Sequence, residues 1–192
     1  MQTTTLIIIG LVVVAVLVIG FLVYRRQSSA RLKSNFGPEY DRVVEEIGAK
    51  SKAEAQLHDR EKRVKKFDLK PLTPTDRERF TERWRHVQAQ FVDDPGRALA
   101  DADTLLGEVM SVRGYPVADF DQQSADLSVD HPVVVQSYRD AHAMAVRESG
   151  GDVGTEDRRG AMLNYRRLFD ELVADPASDQ PRTEKEKAEA HE

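Results

Sequence analysis

From Met1 to Tyr24 the chain contains no Asp, Glu, Lys, Arg or His, and within that stretch Leu6 to Val23 reads LIIIGLVVVAVLVIGFLV, broken only by Gly10 and Gly20. A run of this kind constrains everything that follows it. As a helix rising about 1.5 Å per residue it reaches about 27 Å, close to the hydrocarbon thickness of a bilayer. The expectation is a short tail over 1–5 and a single uncleaved transmembrane anchor over 6–24. A cleaved secretory signal would carry a basic n-region, a shorter apolar core and a small-x-small site. MQTTT has no basic side chain, and FLVYRR offers no such site.

Basic residues near the membrane set the expected orientation. Arg25, Arg26, Arg31 and Lys33 follow the run, whereas only the terminal amine precedes it. The positive-inside rule then places the N-terminus outside and the large domain in the cytoplasm, with Tyr24 at the interface of the cell membrane. Residues 25–37 read as a basic juxtamembrane linker. A specific anionic-lipid site would need a denser basic cluster than RRQSSARLK. Gly10 and Gly20 lack GxxxG spacing, so pairing inside the bilayer is not signalled.

Lys and Arg together number 28 against 33 Asp and Glu, a formal net charge of −5. That balance argues against a nucleic-acid partner, which would call for a broad basic face. Cysteine is absent, which removes disulfides, thiolate nucleophiles and Cys-based metal sites together.

Beyond the anchor, every periodic stretch is helical, so the fold class expected is all-α: a charged juxtamembrane helix followed by a small helical bundle. Over 38–67 a charged amphipathic helix opens after Pro38 with Tyr40, Val43, Val44 and Ile47 on one stripe. Past Gly48 it keeps only a thin apolar edge at Leu57 and Val64. The bundle is expected over 72–174. Thr73 and Pro74 announce a helix whose Phe80, Trp84, Val87 and Phe91 recur at spacings of four, three and four. Asp94 and Pro95 announce its antiparallel neighbour, with Leu99, Ala102, Leu105, Leu106, Val109 and Met110 inward and Gly114 as a left-handed stop. Asp101 and Asp103 on that helix read as solvated. The stretch 115–132 shows no sustained period and reads as a connector pinned by Phe120, Leu127 and Val129. Its Asp119, Asp121, Asp126 and Asp130 do not follow the calcium-loop pattern. Thr155 is the expected cap of a last helix burying Met162, Tyr165, Leu168, Phe169 and Leu172. After Pro176 the text turns polar, and 175–192 reads as a disordered tail.

DHPVVVQSYRDAH, Asp130 to His142, concentrates groups that active sites favour. Its simplest reading is a capped helix: Pro132 in the first turn, Asp130 or His131 as cap, and Val134, Tyr138, Ala141 and Ala145 inward with His142 beside them. His131 and His142 stand about 16 Å apart along such a helix and cannot share a metal. Neither a nucleophile-elbow serine nor an H-E-x-x-H arrangement is present. Trp84 reads as core and His86 as surface. The candidate interaction or ligand residues are therefore Trp84, His86, Asp126, Asp130, His131, Tyr138, Arg139 and His142. No catalytic residue, cofactor or metal is indicated.

The anchor together with FGPEYDR, FVDDP, RGYP, SADLSVDHP and YRDAH resembles a family of bacterial proteins described as hypothetical, membrane or secreted, over Phe36 to Leu172. That resemblance implies no activity, cofactor or site residue. The reading overall is a non-enzymatic, membrane-anchored interaction or scaffold protein whose partners are the lipid bilayer and either another protein or a second copy. The alternative is a helical ligand-binding or hydrolytic domain built on the Asp/His/Tyr/Arg cluster, or the same domain facing outside the cytoplasm.

Overall fold

The computed structural model describes residues 2–116, 118–148 and 153–174, with side chains from Val16 onward. Eight α-helices follow in order: α1 (Gln2–Phe36), α2 (Pro38–Ile47), α3 (Lys50–Val64), α4 (Pro74–Gln90), α5 (Pro95–Val112), α6 (Phe120–Asp130), α7 (Val135–Glu148) and α8 (Thr155–Val173). Among the described residues there is no strand, and the protein is all-α. No helix is long and apolar enough, over those residues, to cross a membrane. The side chains of 6–15, the first part of the apolar run, lie outside them, as does the tail over 175–192. The chain divides into two compact units, Met1–Arg60 and Glu61–Glu192.

In the first unit, residues 25–36 are not the expected linker but the last turns of α1. Arg, Gln, Ala, Leu and Lys favour helix, and neither Gly nor Pro interrupts until Gly37 turns left-handed at φ 48°. Leu32 and Phe36, four residues apart, are buried on α1, as are Tyr40 and Val43 on α2 and Ala53 and Leu57 on α3. The single charged helix expected over 38–67 is in fact two. Gly48 ends α2 in the left-handed conformation at φ 69°, its N–H donating to Val44 O at 3.0 Å. Polar ties join the three helices. Ser28 Oγ and His58 Nε2 are 3.2 Å apart, Tyr40 donates its hydroxyl to Glu54 at 2.8 Å, and Arg60 donates to the buried Glu39 at 2.7 Å. Glu39 also receives two bonds from Arg42, so this buried carboxylate is fully compensated.

The second unit is a bundle in which α5 and α8 pack on each other and each also packs on α4 and α7, while α6 packs on α7. All six of the inward positions expected on α5 are fully buried. Both anticipated caps form: Thr73 Oγ1 accepts from Asp76 N at 3.1 Å and Asp94 Oδ1 from Arg97 N at 3.0 Å. The five inward residues expected on α8 are buried as well, although Gly154 rather than Thr155 occupies the N-cap.

Two expectations fail in the stretch between α5 and α7. Where a connector was expected, Asp119 caps α6 by accepting from Gln122 N at 2.9 Å. This helix buries Ser124, Asp126 and Ser128 beside Leu127, so its inward face is mostly polar and leaves no apolar period. Because α6 continues through Asp130, the helix expected to begin at Pro132 is delayed to Val135. His131 closes α6 instead, its N–H donating to Leu127 O at 2.9 Å, and Asp130 is a helical residue rather than a cap.

Gly114 has φ 98°, and a Cβ placed there would overlap the Asp68 carbonyl, where the chain before α4 runs beside the end of α5. Lys70 N donates to Arg113 O at 3.0 Å in the same contact. Gly107, inside α5, has open space around it. Gly114→Ala is therefore expected to destabilise the chain by about 2–4 kcal/mol from backbone strain and overlap. Gly107→Ala is expected to be neutral or stabilising by about 0.5–1 kcal/mol. Urea unfolding of the two variants checks the contrast.

Candidate functional site

The most concentrated polar geometry in the bundle gathers around Asp103 of α5. Tyr165 of α8 donates its hydroxyl to Asp103 Oδ1 at 3.0 Å, and His142 Nδ1 of α7 lies 3.3 Å from the same oxygen. Since a carboxylate only accepts, Nδ1 carries a proton in this contact, which fixes the orientation of the ring. Phe120 of α6 stacks flat on His142, with centroids 3.6 Å apart and planes at 7°. On its other flank Phe120 meets Tyr138 at 5.0 Å, and Tyr138 donates to Gln123 at 3.2 Å. Burial, reinforced by the Asp103 charge, pushes both the Tyr138 and the Tyr165 hydroxyls above the ordinary phenol range. Both remain protonated donors at neutral pH.

Chemically, this arrangement orients an imidazole. An Asp–His pair of this kind also occurs in general-base devices, but such a device needs a nucleophile or a bound substrate against the other ring nitrogen. Among the described residues no Ser or Thr hydroxyl hydrogen-bonds His142. Cavities of about 460 Å³ and about 370 Å³ lie along α4, the first lined by His86, Gln90 and Asp101, the second by Trp84, Gln88 and Phe169.

The residues singled out in the sequence are dispersed by the fold. Asp126 is buried and bound by Arg63 Nε at 2.6 Å and Gln122 at 3.0 Å. Asp130 accepts from Tyr115 at 2.9 Å, and His131 Nδ1 lies 3.1 Å from Glu171 of α8. Trp84 stacks on Phe169, with centroids 4.7 Å apart and planes at 12°, as a core residue; its indole Nε1 is buried with no hydrogen-bond partner among the described residues. His86 is exposed on α4 and Arg139 is half-buried on α7. Tyr138 and His142 share a neighbour, Phe120. Among the described residues no three His, Asp or Glu side chains are grouped to hold a metal ion. On α1, Tyr24, Arg25, Arg26 and Arg31 are exposed, and Lys33 donates to Asp41 at 3.0 Å.

Reading the sequence misses Asp103, Tyr165, Phe120 and Gln123 as members of this cluster. Asp103 is not the solvated carboxylate expected, since Tyr165 and His142 bind it, whereas Asp101 accepts from Gln90 at 2.9 Å and still has its side chain 45% exposed. One signal was available: Asp103 follows Leu99 by one turn and sits beside Ala102, on the margin of the α5 apolar stripe. No family model, curated protein or solved structure matches the chain.

His131 yields a pH prediction. Burial holds its pKa below the ordinary imidazole value against the opposing pull of Glu171, while Arg113 lowers it further. The folded state thus binds this proton less readily than the unfolded state. Its contribution to stability is complete above the unfolded pKa of about 6.5 and is lost as pH falls towards the folded value. His131→Gln is expected to lose less stability than the wild type between about pH 7.5 and about pH 5. Urea midpoints at the two pH values provide the measurement; equal losses would remove His131 from the acid response.

Proposed function

We propose that the chain is a single-pass membrane protein whose α1 crosses the bilayer with its N-terminus outside. Its helical units then stand at the cytoplasmic face as a non-enzymatic surface for a protein partner or a second copy. One observation carries the anchor. Apart from Gly20, every residue from Val16 to Val23 has a large apolar side chain, each 48–67% exposed, and they lie on all sides of one continuous helix. A helix that is apolar all round finds its stable setting inside a core or a bilayer, and among the described residues no protein surface covers this stretch. Joined to Leu6–Ala15, the stretch makes 18 residues, within the about 17–25 that a spanning helix needs.

The scaffold reading is supported by the dispersal of the candidate residues and by the internal pairing of Asp126, Asp130, His131 and His142. A second reading, a ligand-binding or hydrolytic domain, draws its support from the oriented imidazole of His142 on Asp103.

The chain has no cysteine, so Lys185→Cys introduces a unique thiol for labelling. The full chain is expected to stay with membranes through alkaline carbonate extraction. The introduced thiol should react with an impermeant maleimide only after the membrane is opened to admit the reagent to the cytoplasmic side. Release by carbonate would refute the anchor, and labelling of intact cells would reverse the orientation.

A further inference from the structure

Because α1 stays helical through Phe36, its basic side chains stand at fixed heights beyond the apolar run. At about 1.5 Å per residue, Arg25 and Arg26 fall about 3–5 Å past Val23, and Lys33 about 15 Å past it. The headgroup layer of a bilayer is about 5–8 Å deep on each side, so the two arginines reach phosphate level and Lys33 lies beyond it. Their acidic surroundings differ too. Lys33 is already bound to Asp41 at 3.0 Å, and the charge of Arg25 acts on Glu54 of α3. Arg26 is exposed and has no acidic partner among the described residues. As the linker read from the sequence, RRQSSARLK is too sparse for an anionic-lipid site and leaves its cations at no particular depth; the continuous helix instead fixes Arg25 and Arg26 at one depth.

We infer that Arg25 and Arg26 form a binding collar for anionic phospholipid headgroups in the leaflet where α1 leaves the membrane, a step that rests on the anchor reading above. The chemistry is that of a planar guanidinium donating two parallel hydrogen bonds to phosphate oxygens, which a lysine ammonium does not reproduce. Tyr24, exposed just before the pair, suits the same interfacial depth. A leaflet rich in lipids of net negative charge attracts each basic side chain near its surface.

The test uses the full chain carrying Lys185→Cys, reconstituted in phosphatidylcholine vesicles with and without a minority of phosphatidylglycerol. Flotation after carbonate treatment reports insertion, thiol labelling reports direction, and mass spectrometry of gently solubilised protein reports the lipids that remain bound. The wild type is expected to float with both vesicle types and to retain phosphatidylglycerol over phosphatidylcholine by about five-fold for each arginine. Arg25→Gln with Arg26→Gln should float equally and retain lipid in the bulk ratio, whereas Lys33→Gln should keep the enrichment. An inserted wild type with bulk lipid composition, or a double variant that keeps the enrichment, overturns the collar. A wild type that floats with neither vesicle overturns the anchor itself, and the collar with it.

Discussion

The second unit depends on the burial of one helix. Leu99, Ala102, Leu105, Leu106, Val109 and Met110 of α5 are each fully removed from solvent, and three other helices pack against α5 to achieve it. Burial of a leucine or methionine side chain contributes about 1.5–3 kcal/mol, so this stripe contributes strongly to holding α4, α7 and α8 against α5. Trp84 on Phe169, and Leu168 and Leu172 from α8, close the same core.

The polar groups sit where that core reaches its margin. Asp103 is the clearest case: one side of α5 is apolar, and the carboxylate at its edge is satisfied by Tyr165 and His142 rather than by water alone. Asp126 finds Arg63, and Glu39 finds Arg42 and Arg60, by the same rule that a buried charge must be matched. Histidine, tyrosine and aspartate in this chain are thereby drawn into separate structural pairs, which is why a stretch as rich in functional groups as Asp130 to His142 does not converge on one reactive centre.

Where apolar residues repeat at helical spacing, the fold was legible in advance. Phe80, Trp84 and Val87 on α4, the α5 stripe, and Tyr165, Leu168 and Phe169 on α8 are all buried as the spacing implies, because apolar burial is periodic and local. The errors fall where burial is polar or the helix signal is weak. In α6 the buried face is Ser124, Asp126 and Ser128, a pattern that hydropathy does not reveal. Past the apolar run, Ser28 and Arg31 concealed the buried pair Leu32 and Phe36. The cluster at Asp103 depends on four helices meeting, and no spacing within one helix encodes it.

The continuity of α1 links the apolar run to the first unit, since one helix carries both the exposed Val16–Val23 stretch and the buried Leu32 and Phe36. Everything proposed about place and partner follows from that helix resting in lipid. Amide hydrogen exchange of the full chain, compared in phospholipid bilayers and in lipid-free solution, addresses this directly. The expected result is that amides from Leu6 to Val23 resist exchange for hours in bilayers and lose that protection without lipid. Equal exchange of this segment in both settings would contradict the anchor.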